Sequence, residues 1–303
     1  MARAFGVDWE DMIPVDSVRL HGKMSFIECD IRTHLTGALQ DARPGEYPDH
    51  LYRYNGRSVF VGPPTVELSL AGLRKSFAHQ ITKGSAIWWF DMWGGWYDHP
   101  LLMEELTAMR MICEADRREG PSPEVAMLAD ERSYAYIHDL HDENPLMSGI
   151  SQTRMAMGNT GVPYDFYACE DVDEILDGYK AVVFPFPVAS EPAGLHAKEA
   201  CEQKGIPYLT ATPEHPVLTL SEIRDFYKAN GIHFYTETED VVYLGNGYVG
   251  LHAATGGRKS LRLPKACSLT PVFGVDAPEQ TGHTWCFSAE PHTTVLFFIE
   301  ETF

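Results

Sequence analysis

The alternation of apolar runs with helical periods between residues 125 and 209 limits the fold more than any other feature of this chain. V-A-M-L-A-D (125–130), V-P-Y-D-F-Y (162–167), A-V-V-F-P (181–185) and I-P-Y-L (206–209) each read as a short buried strand. Between them lie a helical stretch with Met147, Ile150, Met155 and Met157, a short one at 172–176, and a longer one at 191–204. Strands separated by helices build a parallel, doubly wound sheet, because a parallel return needs a crossover. Such sheets often hold nucleotides or an amidotransferase nucleophile, and the signatures decide between these roles. No G-x-G-x-x-G follows the first strand, and no G-x-x-x-x-G-K-[ST] occurs. Cys169 in A-C-E-D and Cys201 in A-C-E-Q lack the glycine-flanked elbow of a nucleophile. His138 and His141, in H-D-L-H-D-E, read as a solvated loop rather than a metal site. The sheet is expected to be structural, with no metal and no cofactor.

The chemistry concentrates before this sheet. K-M-S-F-I-E (23–28) reads as a short strand ending in Glu28, and E-C-D-I-R-T-H (28–34) packs two acids with Arg32 and His34. Polar groups at the carboxyl end of an apolar strand are where an α/β barrel keeps its catalytic side chains, although an ordinary helix-start cluster with Asp30 as cap reads the same way. A loop rich in Pro, Gly, Asp, Tyr and Arg covers 37–64; loops this long are usually functional or disordered. Thr65 then caps a helix with an apolar stripe at Val66, Leu70, Leu73, Phe77 and Ile81. After Gly84 comes S-A-I-W-W-F-D-M-W-G-G-W-Y-D (85–98), which holds four of the six tryptophans. Trp88, Trp89, Phe90, Asp91, Trp93 and Trp96 in one strand and its loop suit a sugar pocket: aromatic faces stack on pyranose C–H groups and carboxylates accept hydroxyl protons. A Trp-rich core corner is the competing reading. A further helix follows Pro100, giving two βα units, far fewer than the eight of a barrel of about 250 residues.

From about residue 241, short alternating runs separated by G-N-G (245–247) and G-G (256–257) describe a small antiparallel β-sandwich. The net charge of −19 argues against nucleic acid or an anionic membrane as partner. No apolar run reaches the length of a membrane span. Six scattered cysteines without C-x-x-C spacing read as reduced thiols of a cytoplasmic protein, unless a signal peptide was lost ahead of Met1.

These strings resemble, in order, the C-terminal part of β-galactosidase-like enzymes of glycoside hydrolase family 42. H-G-K-M-S-F-I-E-C-D-I-R-T-H resembles the seventh strand of the family's barrel and K-G-S-A-I-W-W-F-D-M-W-G-G-W-Y-D the eighth. P-E-V-A-M-L-A-D-E-R-S resembles the start of its amidotransferase-like trimerisation domain, and L-T-L-S-E-I-R-D-F-Y-K-A-N-G-I-H leads into its closing β domain. The resemblance implies the end of a (β/α)8 barrel at 1–120, a doubly wound trimerisation domain at 121–218 and a small β-sandwich at 219–303. It further implies a retaining hydrolase of β-galactoside-like substrates, assembled as a trimer or dimer. Glu28 takes the nucleophile's place, kept ionised by neighbouring Arg32. Arg32, His34, Trp88, Trp89, Asp91, Trp93 and Trp96 are the expected sugar contacts. The acid/base carboxylate belongs to a fourth strand with no counterpart here, so the chain reads as the C-terminal portion of a longer enzyme, inactive alone. A non-catalytic module that oligomerises or holds carbohydrate is the alternative, and an amidotransferase-like enzyme the third class.

Overall fold

The computed structural model describes residues 5–8, 11–36, 53–54, 57–58, 62–91, 94–114, 120–139, 144–276 and 278–301. Helix α1 (Val15–Leu20) leads into strand β1 (Phe26–Cys29). A two-residue ladder, β2 (Arg53–Tyr54) with β3 (Arg57–Ser58), precedes α2 (Val66–Lys83), β4 (Ala86–Trp89) and α3 (Pro100–Glu114). β1 and β4 pair in parallel, with Glu28 opposite Trp88 and Cys29 opposite Trp89. Strand side chains alternate between faces, and here the faces have different fates. Ile27, Cys29, Ile87 and Trp89 pack with Leu73 and Phe77 of α2 and Leu102 and Met109 of α3. Phe26, Glu28, Ala86 and Trp88 are not so covered. Arg74 of α2 clasps Glu105 of α3 through Nε and Nη2, at 2.7 and 2.8 Å.

The parallel layer comprises β5 (Val125–Ala129), α4 (Pro145–Gly158), β6 (Tyr164–Ala168), α5 (Val172–Ile175), β7 (Ala181–Phe184), α6 (Ala193–Lys204), β8 (Tyr208–Thr210) and α7 (Leu220–Ala229). Its strand order is β6-β5-β7-β8, all parallel. Both faces are buried, which explains the continuous apolar runs. Val125, Met127 and Val183 face α4 and α7, while Ala126, Leu128 and Val182 face α6. Helix α7 carries a capping box between Thr219 and Glu222. Its Ile223 and Tyr227, with Ile232 and Phe234 beyond it, belong to this layer's core. The amphipathic face of α7, just past residue 218, thus buries against the sheet that precedes it.

The sandwich has a four-stranded and a three-stranded antiparallel sheet, ordered β12 (Cys267–Phe273), β15 (Thr294–Glu301), β10 (Tyr248–His252), β9 (Val241–Gly245) and β11 (Gly257–Arg262), β14 (Thr284–Ala289), β13 (Glu279–Thr281). Val242, Leu244, Phe297 and Trp285 fill the space between the sheets. The residues of opposite parity, Val241, Tyr243, Tyr248 and Leu296, pack on α2. Among the described residues no helix is long and apolar enough to cross a membrane.

Beyond its first turn helix α2 is thus enclosed, and the single apolar stripe expected of it is only part of its burial. Lys75, Ser76, His79, Gln80, Thr82 and Lys83 are buried as well. The Lys83 ammonium donates to Asp16 and Asp165 at 2.8 Å each and to the Tyr164 carbonyl at 2.6 Å. Burial opposes its charge, but the two carboxylates outweigh that and hold its pKa above the ordinary lysine value. One helical turn earlier, His79 reaches Asp11 at 2.8 Å and Asp8 at 3.4 Å. Asp8 also accepts from the Tyr164 hydroxyl at 2.7 Å, and Arg154 donates to the Asp11 carbonyl at 2.5 Å. At its C-terminus, Asn246 of the β9–β10 turn donates to the Ile81 and Thr82 carbonyls, and Arg19 donates to that of Lys83. The turn comes so close that a Cβ on Gly245 would lie 2.3 Å from the Thr82 oxygen.

The His79 cluster sets a pH dependence. Burial disfavours its imidazolium, but Asp11 and then Asp8 outweigh that and raise its pKa to about 9. A folded-state pKa above the unfolded value gives stability that is complete below about pH 6.5 and is lost as pH rises through about 9. Lys75, brought down to about 8 by burial, acts with the opposite slope only above that pH. Burial lowers the pKa values of His34, His252 and His292, which tilts the wild-type curve the other way near pH 6.5. Between about pH 6.5 and 8 the urea midpoint of the wild type is therefore expected to fall relative to that of His79→Gln. A difference between the two that stays level over this range contradicts a charged His79.

Candidate active site at the open strand face

Glu28 and Trp88 are partners in a parallel register, so their side chains stand on the same face of strands roughly 4.8 Å apart. Trp88 is 49% exposed and Phe26, on the same face, 58%. No third strand joins either edge of this sheet among the described residues. Glu28 is exposed. Phe90 braces Trp88 edge-to-face, with ring centres 5.3 Å apart, and meets Trp96 in the same manner at 6.2 Å. The aromatic series thus runs from an exposed ring to one wholly buried.

Below this face, the loops after β1 and β4 are sewn together. Thr33 donates a short hydrogen bond to the Trp96 carbonyl. The Tyr97 hydroxyl lies within 3.2 Å of the carbonyls of Ile31 and Phe90 and 3.4 Å from that of Cys29, bridging both strand ends. Burial keeps it a neutral phenol, with its pKa well above the ordinary tyrosine value. Asp91 accepts from the backbone N–H of Gly94 at 2.7 Å and of Trp96 at 3.0 Å, closing the glycine turn. Arg32 pairs with Asp30 at 2.5 Å and lies 5.1 Å over the Trp96 ring. The His34 backbone N–H donates to Ser69 Oγ at 2.8 Å, and its ring meets that of His99 at 5.2 Å. Burial first, and then the neighbouring His99, lowers the His34 pKa.

Of the residues expected to meet a sugar, the structure brings Glu28 and Trp88 together. Trp89, one residue on, points to the helical side and meets Tyr97 edge-to-face. Trp96 is a core residue, and Asp91 a turn-former with both oxygens engaged. Arg32 is committed to Asp30 rather than to Glu28, because the chain turns after Cys29 and carries it beneath the rim. Trp93, like His141, lies outside the described residues. Phe90, also expected at the pocket, keeps the strand parity of Trp88 and braces its ring. Sequence reasoning missed Tyr97, whose reach to three carbonyls is tertiary and left no signal.

The carboxyl end of the parallel sheet does not offer a second site. Asp130 fills it, accepting from Ser190 N at 2.6 Å and Ser190 Oγ at 2.5 Å. Gly194 sits so close that a Cβ there would overlap the Asp130 carboxylate. Burial, and then Asp130, pushes the Cys169 thiol far above the ordinary range, the reverse of an activated nucleophile. Among the described residues no three His, Cys, Asp or Glu side chains converge as metal ligands.

Comparison with solved structures places this fold. The chain superimposes on a GH42 β-galactosidase from G. stearothermophilus with a TM-score of 0.52 at 11% identity, covering 82% of this chain and 52% of that one. A polyextremophilic β-galactosidase from the Antarctic haloarchaeon Halorubrum lacusprofundi matches with a TM-score of 0.53 at 11% identity, over 95% of this chain and 62% of that one. The chain therefore spans about half to three-fifths of the length of these proteins, and at such identities the likeness is one of fold. No family model and no curated protein matches it.

The two tryptophans of this face should separate by stability. Trp96→Ala removes a wholly buried ring under the rim and is expected to cost about 3–5 kcal/mol. Trp88→Ala removes a half-exposed one and should cost less than about 1 kcal/mol. Urea unfolding measures both, and the opposite order would contradict the assigned faces.

Proposed function

We propose that β1 and β4 form the nucleophile-bearing part of the catalytic barrel of a retaining glycoside hydrolase that acts on β-galactoside-like substrates. The observation that carries this reading is the Glu28–Trp88 pair, side by side at the carboxyl end of parallel strands whose other face is sheathed in helices. That is the layout of a barrel wall, with its inner surface turned to the substrate. In the proposed reaction Trp88 stacks on the C–H face of the sugar. A Glu28 oxygen attacks the anomeric carbon, the glycosidic C–O bond breaks, and a glycosyl ester forms. Water then attacks the same carbon and releases Glu28. Assembly as a trimer or dimer through the parallel layer belongs to the same reading.

The leaving oxygen needs a proton from a carboxylic acid about 5–5.5 Å from the nucleophile. Asp91 is held by two backbone N–H groups, and Glu67 stands exposed in the first turn of α2. Neither is arranged as that donor. The non-catalytic alternative, a carbohydrate-holding surface, draws on the same fact: an exposed aromatic ring beside one carboxylate, with no second acid arranged as proton donor among the described residues.

The chain alone is expected to give no turnover of nitrophenyl galactosides above background, since general acid help is worth about 10²–10⁴ in rate. Turnover that disappears in Glu28→Gln would put the acid among these residues, against this reading. In any preparation that does turn over, a 2-deoxy-2-fluorogalactoside should leave its covalent label on the Glu28 peptide, as mass spectrometry will read. A label on another carboxylate removes Glu28 from the mechanism.

A further inference from the structure

A cavity of about 400 Å³ opens where the three layers meet, between α1, β6, the segment before β7 and the β9–β10 turn. We propose that it binds a neutral, polyhydroxylated small molecule of the size of one sugar or cyclitol ring. The volume lies at the lower end of the range for small-molecule sites. The charges around it cancel: Asp16 and Asp165 face the cavity, Arg19 joins them, and Lys83 lies behind, bonded to both carboxylates. An ionic ligand would therefore find no surplus counter-charge, and a neutral one meets no net field.

The hydroxyl groups supply the recognition. Tyr179 Oη is 2.7 Å from Asp165 Oδ2 and 2.9 Å from Tyr167 Oη. A phenol has one proton, so it cannot serve both acceptors. With that proton on the carboxylate side, Tyr167 either donates to Tyr179 Oη or turns into the cavity. In both cases its oxygen keeps acceptor capacity for a ligand hydroxyl. Burial, and then Asp165, holds the pKa of both phenols above the ordinary value, that of Tyr167 at about 12, so they remain donors at neutral pH. The two rings meet edge-to-face at 5.9 Å and present apolar surface to ring C–H groups. Arg19 and Asn246 are tied to α2 and to each other, so the opposite wall is preformed. This argument is independent of the Glu28–Trp88 face, which lies at another place on the molecule.

Saturation-transfer NMR on the full chain tests it, with myo-inositol and methyl β-galactoside as neutral probes and glucuronate and glucosamine as charged ones. The expected result is transfer to myo-inositol with an affinity in the mM range, at least about fivefold weaker in Tyr167→Phe and unchanged in Tyr208→Phe, whose hydroxyl bonds Glu202 and does not line the cavity. The charged probes should give weaker transfer than the neutral ones. Should Tyr167→Phe fail to fold, wild-type chain with 13C-labelled tyrosine gives the second readout, as the Tyr167 and Tyr179 signals should shift on adding the neutral probe. No transfer from either neutral probe up to about 50 mM, well past mM affinity, overturns the proposal. So does transfer that survives Tyr167→Phe and vanishes in Trp88→Ala, which would assign the sugar to the open strand face instead.

Discussion

The buried polar side of α2 is the constraint on which the rest of the structure depends. A helix with Lys75, His79 and Lys83 inside the protein is costly unless each charge finds a partner, because removing an ion from water costs several kcal/mol. The partners come from different layers. Asp165 belongs to the parallel sheet, Asp16 to α1, and Asp8 and Asp11 to the N-terminal segment. The β9–β10 turn of the sandwich completes the cage by capping the helix end through Asn246. Such pairs give little net stability over an apolar core, but breaking one leaves a charge stranded. Their consequence is that the three layers hold a fixed relation around one helix.

That relation is what makes the open strand face informative. The outer face of β1 and β4 is committed to α2 and α3, so neither strand can turn to hide its other side. The rim is equally fixed, since Thr33, Tyr97 and the Asp91 turn join the two loops. Phe26, Glu28 and Trp88 stay outward on a rigid support. Parallel sheets are normally covered on both faces. A parallel pair covered on one face only, with a carboxylate beside an aromatic ring on the other, is the arrangement on which the proposed function rests.

Much of this was legible in the residues. The apolar runs at 125–129 and 181–184 needed burial on both faces, and Gly245-Asn246-Gly247 marked the β9–β10 hairpin, whereas Gly256-Gly257 carries the chain from one sheet to the other. Thr65 and Gly84 marked the ends of α2 to the residue. The strand positions of Glu28 and Trp88 followed from their apolar neighbours. What was not legible depended on parity or on distant partners. Trp88 and Trp89 are adjacent, and only the register of the strand decides which faces outward. Trp96 lies beyond Gly94-Gly95, where parity no longer applies, and the loop folds it inward beneath Arg32. Arg32 itself could have served Glu28 or Asp30, and the turn after Cys29 chose Asp30. The polar residues of α2 look solvent-facing in the sequence, because their partners lie between 67 and 82 residues away. Helix α7 shares no sequence mark with the parallel sheet that its apolar face covers.

The central claim is that β1 and β4 bury one face and leave Glu28 and Trp88 on the other. Hydroxyl-radical footprinting read by mass spectrometry tests it most directly, since oxidation of a side chain follows its contact with water. Met24, Phe26 and Trp88 should be labelled readily in the folded chain, while Trp96 and Tyr97 should label only after unfolding. Protection of Trp88 equal to that of Trp96 would mean that this face is covered, and the account of an open catalytic wall would fail.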